Sequence, residues 1–396
     1  MSYTETTNQG WLSRIGNAIV GVLFGLVLVP VSVIVLFWNE GRAVHTARTL
    51  EEGKSAVVSV DAAKVDPAND GKLVYFSGKA ISATGDKLAD PVFHVSADAI
   101  HLRRQVRMYE WKEDKQTDSH NNAVGGGTTN TTTYNYSKVW NDRPIDSSSF
   151  KESGHQNPSH WRLDSNTLNA SSVTVGAFTL NSELAGKIDN FTPVDLPANT
   201  IDALPTDLKS DAVYSNNAVF ISNDPGQKPD VGSPRIGDLK VAFDAALPGD
   251  VSVIAKQAGS NLAPYQTKNN ALQLLYVGAH SADEMFKSEE VKNGRLTWIL
   301  RGAGFLAMWI GLAMLLNPLK VLSDVIGIVG DIVGAGIGIV TGLIAVVLSF
   351  ITIAIAWISF RPIVGIGLLV VAGGALALIL VLRSRGATRR RAIGVV

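Results

Sequence analysis

The stretch Ile19–Trp38, IVGVLFGLVLVPVSVIVLFW, decides the fold, because it runs 20 residues without an Asp, Glu, Lys or Arg. A helix rises about 1.5 Å per residue, so such a run covers the roughly 30 Å hydrocarbon core of a bilayer. A short arm with Arg14 precedes it, as in a secretory signal. The apolar run is too long for a signal core, however, and its exit, Trp38-Asn39-Glu40-Gly41-Arg42, offers no small-residue cleavage site. It reads as a permanent anchor, with residues 1–18 as a cytoplasmic arm and 19–38 as the first span.

Working outward, the other dense apolar block is Thr297–Leu382. Residues 297–316 form a second span, stopped at Asn317 and Pro318, where a helix can end. Residues 319–332 carry Lys320, Asp324 and Asp331 and read as an interfacial or re-entrant segment. A third span covers 334–358, Arg361 and Pro362 mark a turn, and a fourth covers 363–382. The tail, 383–396, holds Arg383, Arg385, Arg389, Arg390 and Arg391, which the positive-inside rule keeps cytoplasmic. Residues 39–296 are then extracytoplasmic. The expected location is a bacterial inner membrane with a periplasmic domain or, in a eukaryote, the endoplasmic reticulum and inner nuclear membrane.

The balance of 35 basic and 35 acidic residues gives no footprint for nucleic acid and directs the search for partners to the membrane and its lipids. The absence of cysteine excludes disulfides, a thiol nucleophile and a Cys-based zinc site.

Gly330, Gly334, Gly338 and Gly342 recur every four residues, on one helix face where another backbone can approach closely. Packing among the chain's own spans and self-association between chains both use such a face. Arg301 and Asp331 lie at or near bilayer depth, where ionisable residues are functional candidates. Arg301 is placed to snorkel to the headgroups, and Asp331 to sit at a helix start.

In the large domain the period is two. Ile100, Leu102, Val106 and Met108 alternate with His101, Arg103, Arg107, Tyr109 and Trp111, and Tyr134, Tyr136, Lys138 and Trp140 continue the strand pattern. Between these runs His120–Thr133 is rich in Asn, Thr and Gly, which predicts a mobile loop. Further strands are expected at Ser55–Val60, Leu73–Ser77, Val173–Leu180, Lys240–Phe243 and Val251–Ala255. Ser281 with Glu284 forms a capping box for a helix leading into the second span. The fold class is α+β: four transmembrane helices, one N-terminal and three C-terminal, with a large strand-rich extracytoplasmic domain.

Chemistry-bearing patterns are sparse. His155 and His160 lack the companions of a zinc site. Asp146, Ser147 and His155 are hydrolase residue types without a nucleophile elbow. No phosphate loop or dinucleotide fingerprint occurs, and no cofactor or metal is expected.

Several stretches together resemble the transmembrane protein 43 family, also called LUMA. They are WNEGRAV at Trp38–Val44, MYEWKE at Met108–Glu113, YSKVW at Tyr136–Trp140, IDSSSF at Ile145–Phe150, GHQNP at Gly154–Pro158, and Arg301–Leu319 with its Pro318-Leu319 pair. Trp38, Asn39, Glu40, Gly41, Arg42, Met108, Tyr109, Trp111 and Trp140 are the residues that carry it. The resemblance is to a bacterial member. It implies a membrane protein without known catalysis, whose eukaryotic relatives self-associate and organise the nuclear envelope and endoplasmic reticulum through protein partners. The expected function is therefore a non-enzymatic oligomeric scaffold that binds lipids, further copies of itself and other envelope proteins. An envelope enzyme centred on His155, His160 and Asp146 is the alternative, and a small transporter using Arg301 and Asp331 is a third.

Overall fold

The computed structural model describes residues 2–85, 87–122, 125–363 and 365–367. The expected fourth span, 363–382, lies outside the described residues beyond its first few positions, as do Gly373, Gly374 and the tail 383–396.

The fold mixes helix and strand. Helices are α1 (Trp11–Ala56), the short α2 (Ser182–Ala185) and α3 (Thr206–Lys209), α4 (Ala282–Ser323) and α5 (Gly327–Phe360). Among the described residues α1, α4 and α5 are long and apolar enough to cross a membrane. Helix α1 continues well past Trp38, because Glu, Ala, Arg and Leu of its last turns favour helix and Leu50 is buried there. Only Val58–Ser59 of the strand expected at Ser55–Val60 forms. Helix α4 opens on the expected capping box: the Glu284 N–H donates to Ser281 Oγ at 3.3 Å, and the Ser281 N–H returns a bond to Glu284 Oε2 at 2.8 Å.

Asn317 and Pro318 do not stop α4, which runs on to Ser323. Proline is tolerated inside apolar helices because neighbouring elements satisfy the freed carbonyl. Segment 319–332 is accordingly divided between the end of α4, a turn, and the start of α5. Asp331 is beyond the first turn of α5 rather than at its start.

The chain divides into a strand-rich unit (Met1–Thr7, Thr49–Ser119, Asn130–Ser288) and a helical unit (Asn8–Arg48, His120–Thr129, and from Glu289 on). Two large sheets, with two small two-stranded ones beside them, build the first. The larger has the order Ser2–Gln9, Thr128–Asn141, His101–Asn121, Leu239–Ala246, Ala218–Ile221, Ala212–Ser215, with Asn166–Asn169 added beside His101–Asn121. The other centres on Gly249–Ala258 paired antiparallel with Leu73–Ser82. Along His101–Asn121 the even positions Leu102, Val106 and Met108 are buried against Val219, Ile221, Val241 and Phe243, as the alternation predicts. Arg104 shares that inward face and is also buried, paired with Asp90 at 2.8 Å.

The mobile loop expected over His120–Thr133 is instead the end of a long hairpin, since one strand runs to Asn121 and the next starts at Thr128. Low apolar content does not prevent this, because the backbone ladder needs no apolar side chain and β-branched Thr suits a strand. Polar cross-strand pairs replace packing: Thr117 and Thr132 hydroxyls meet at 3.1 Å, and Ser119 Oγ donates to Asn130 Oδ1 at 2.7 Å. At the tip Gly125 and Gly126 take positive φ of 90° and 66°, which glycine alone adopts freely.

Candidate functional site

The WNEGRAV stretch lies on α1 and fastens it to α4 and α5. Glu40, 3 % exposed at its side chain, accepts from Arg301 Nε at 2.6 Å and Nη2 at 2.9 Å, and from Trp357 Nε1 at 2.7 Å. The Arg301 guanidinium also lies over the rings of Trp298 and Trp357, at 4.8 and 5.8 Å. It therefore turns to a buried carboxylate instead of snorkelling outward. On the adjacent turn Asn39 Nδ2 donates to Thr297 O at 3.1 Å, and Arg42 donates to Asn293 Oδ1 and Thr297 Oγ1 at 2.9 and 3.0 Å. A Cβ at Gly41 would stand 2.7 Å from the Phe360 ring, so a larger residue there would push that ring aside.

A second charged level occurs at the other end of these helices. Arg14 pairs with buried Asp324, and its Nη1 donates to Gly126 O at 2.6 Å. Asp331 Oδ1 accepts from Asn121 Nδ2 at 3.2 Å. Between the levels no Asp, Glu, Lys or Arg occurs at 15–39, 302–319 or 332–360. From the residue separations, Arg14 to Glu40 on α1 and Asp331 to Trp357 on α5 are each about 39 Å, and Arg301 to Asp324 on α4 is about 35 Å. A hydrocarbon core of about 30 Å fits between them. Trp38 and Trp298, exposed beside the Glu40 level, sit where indoles favour the membrane–water interface.

In the strand-rich unit the other motifs converge on one cluster. Asn157 ties three of them: its Oδ1 accepts from the Trp111 N–H at 2.7 Å, and its Nδ2 donates to Trp111 O and Ile145 O at 2.9 and 3.2 Å. Tyr136 donates to Glu113 Oε2 at 2.5 Å and accepts from the Glu152 N–H at 2.9 Å. Burial, and then the bond to Glu113, raise its pKa above the ordinary phenol value. Burial likewise raises Glu110, against the opposing bond from the Ile145 N–H. His155 is buried, stacked on Tyr136 at 4.1 Å with Trp111 edge-on at 4.4 Å. Tyr109 and Trp140 pack at 5.2 Å, and Met108 lies in the core.

The residues proposed for hydrolysis are not arranged for it. Asp146 is exposed and closes a turn on the Ser148 N–H at 2.9 Å; the Ser148 side chain, and then that N–H, lower its pKa. Ser147 Oγ is occupied by the Asn157 N–H at 2.8 Å, and His160 is exposed while His155 is enclosed in rings. Among the described residues no group of three or more His, Asp or Glu could hold a metal.

The family profile described as Transmembrane protein 43 matches residues 108–362. The human Transmembrane protein 43 is 35 % identical over 395 residues, covering 96 % of this chain and 94 % of the human one. This chain belongs to the transmembrane protein 43 family. The rat protein of that name is 36 % identical over 81 % of this chain and 80 % of its own, and a Drosophila melanogaster homolog is 31 % identical over 76 % and 77 %. No solved structure matches.

For a transmembrane protein 43 chain the glycine placement is informative. A Cβ at Gly330, Gly334 or Gly342 would meet Asp324, Lys320 or Trp309 of the same chain, at 1.8, 2.9 and 3.3 Å. Gly338 has nothing within 4 Å of that direction. A Cβ added at other glycines would also meet a neighbouring helix: at Gly25 the Gly311 carbonyl at 2.7 Å, at Gly311 Val29 at 2.9 Å, and at Gly304 Leu36 at 2.6 Å. Sequence reading missed these. Their signal was the seven-residue, two-turn spacing of Gly304 and Gly311 within an otherwise bulky apolar run.

Proposed function

We propose that this integral membrane protein is a non-enzymatic scaffold that organises its membrane through self-association and protein partners. The observation supporting the reading most directly is that the motif residues bond to one another within their units: Glu40 to Arg301 and Trp357, and Asn157 to Trp111 and Ile145. They hold elements in place, and the Ser147 hydroxyl is engaged by the Asn157 N–H rather than by His155. Arg301 and Asp331 sit at opposite ends of the helical unit, which gives a transport path no shared polar cavity. Lipids, another copy of the chain and other membrane proteins are the partners of this reading. The setting is a bacterial inner membrane or, in a eukaryotic source, the endoplasmic reticulum and inner nuclear membrane.

Self-association through the α5 glycine row narrows to Gly338, the member with an open Cβ direction. Gly338→Leu should shift the detergent-solubilised assembly to smaller species by light scattering, and an unchanged mass would remove the row from the interface.

In the same reading 39–296 is extracytoplasmic, 363–382 is a fourth span and the tail is cytoplasmic. The bonds of Gly126 to Arg14 and of Asn121 to Asp331 compete with it, and so does one strand pairing. Ser2–Gln9 is hydrogen-bonded to Thr128–Asn141, and α1 starts only two residues after that strand ends. If α1 spans a bilayer, its two ends lie on opposite sides, so on insertion this strand must leave the sheet and the hairpin tip must part from Arg14 and Asp331. The cysteine-free chain permits a direct check by labelling single cysteines in sealed vesicles. Ser2→Cys and the exposed Ser233→Cys should react from opposite sides. Reaction of both from one side would refute the topology.

A further inference from the structure

Thr128–Asn141 and Asn166–Asn169 both pair with the same edge of His101–Asn121, and where they diverge a cleft of about 400 Å³ opens. Its lining includes Arg103, Arg107, Asp142, Asn166 and Thr167. That volume is within the range of small-ligand sites, but the walls are polar and charged, so the occupant they suit is charged too.

The charges on this face are unevenly matched. Arg103, Gln105 and Arg107 share it, opposite Asp244, Ala242 and Lys240 of the neighbouring strand. Asp244 is already engaged: its Oδ2 accepts from Arg103 Nη2 at 3.0 Å and from Gln105 Nε2. The Arg103 guanidinium rests on the Phe191 ring at 4.1 Å, and its buried Nε has no partner among the described residues. Arg107 is exposed, has no hydrogen-bond or ion-pair partner among the described residues, and stands directly across from Lys240. Like charges opposed across a ladder are unfavourable unless something neutralises them. Arg104 contributes nothing here, since Asp90 satisfies it on the other face.

We propose that this cleft binds a phosphate monoester, with Arg107 donating to the phosphate oxygens and the Thr167 side chain, which shares its face, and the part of the Arg103 guanidinium not held by Asp244 completing the set. A guanidinium presents paired N–H donors at the spacing of two phosphate oxygens, which favours phosphate over a monovalent halide. Asp142 on the rim opposes one of the cationic charges and weakens the site's hold on an anion.

The full-length protein in neutral detergent is heated with inorganic phosphate or with chloride at matched ionic strength. In parallel it is heated in nanodiscs of phosphatidylcholine with and without phosphatidic acid. A ligand that binds the native state raises the melting midpoint in a saturable way. A rise with inorganic phosphate identifies a site open to soluble monoesters, and a rise with phosphatidic acid alone identifies a lipid headgroup. Arg107→Ala should weaken the apparent affinity about tenfold or more, and Arg107→Lys by less. Removing Arg107 relieves its opposition to Lys240, so the unliganded midpoint of Arg107→Ala should be no lower than that of the wild type. No saturable rise in either medium, or an equal rise in Arg107→Ala, overturns the proposal.

Discussion

Glu40→Ala should destabilise the helical unit by about 3–5 kcal/mol, the range for removing one partner of a buried ion pair. The size follows from burial. An exposed pair is worth about 0–1 kcal/mol, because water solvates both ions before and after they meet. Glu40 and Arg301 are only 3 % and 17 % exposed at their side chains, and both carboxylate oxygens are bonded. Alanine would leave the guanidinium with the Trp298 and Trp357 rings as its remaining company, and the Trp357 N–H without its acceptor. Glu40→Gln keeps an oxygen for one donor and should cost less than alanine. The measurement is the unfolding midpoint in mixed micelles titrated with a denaturing detergent. Arg301→Met closes a double-mutant cycle, in which residues in direct contact couple by about 0.5–3 kcal/mol. A loss below about 1 kcal/mol, with no coupling, would place the pair in solvent at the headgroups.

What the sequence disclosed and what it hid divide on physical lines. Period-two alternation found the Leu102, Val106 and Met108 face because local strand geometry is written in local spacing. Ser281 and Glu284 announced the start of α4 for the same reason, the cap being made within four residues. Apolar run length identified the helices able to cross a membrane. The partners of Glu40 were illegible, since Arg301 and Trp357 are 261 and 317 residues away. Arg301 consequently read as a lone snorkelling charge. Glycine periodicity marked a helix face, but spacing alone does not say what lies against it: a Cβ at Gly334 or Gly342 would meet Lys320 or Trp309 of the same chain, and one at Gly338 nothing within 4 Å. The hairpin was missed because composition was weighed as a shortage of core, whereas its strands hold by ladder bonds and hydroxyl pairs. In the cluster around Asn157 the four motifs were visible one by one. Only the fold shows that a single amide joins Trp111 to Ile145.

Asp90→Ala should be the most damaging single change in the strand-rich unit, again by about 3–5 kcal/mol. Arg104 occupies an inward position that alternation assigns to an apolar residue, and its guanidinium is 7 % exposed. Nη1 donates to both Asp90 oxygens at 2.9 and 2.8 Å, Nε donates to Asp164 O at 3.1 Å, and the group lies 5.9 Å from the Phe93 ring centre. Asp90 Oδ1 also accepts the N–H groups of Val92 and Phe93, at 3.0 and 2.9 Å, so its loss strands two backbone donors as well as a cation. The two contributions separate experimentally. Asp90→Asn retains an oxygen for Val92 and Phe93 and removes only the charge, so its midpoint in urea should lie between wild type and Asp90→Ala. Arg104→Met replaces the cation by an apolar chain suited to the surrounding Leu and Val. Replacing a buried pair by apolar residues is often close to neutral. The Arg104→Met and Asp90→Asn double variant should therefore recover much of what Asp90→Asn loses. If the double variant is instead as unstable as the sum of the singles, Arg104 and Asp90 act independently and the buried pair is not what fixes this part of the sheet.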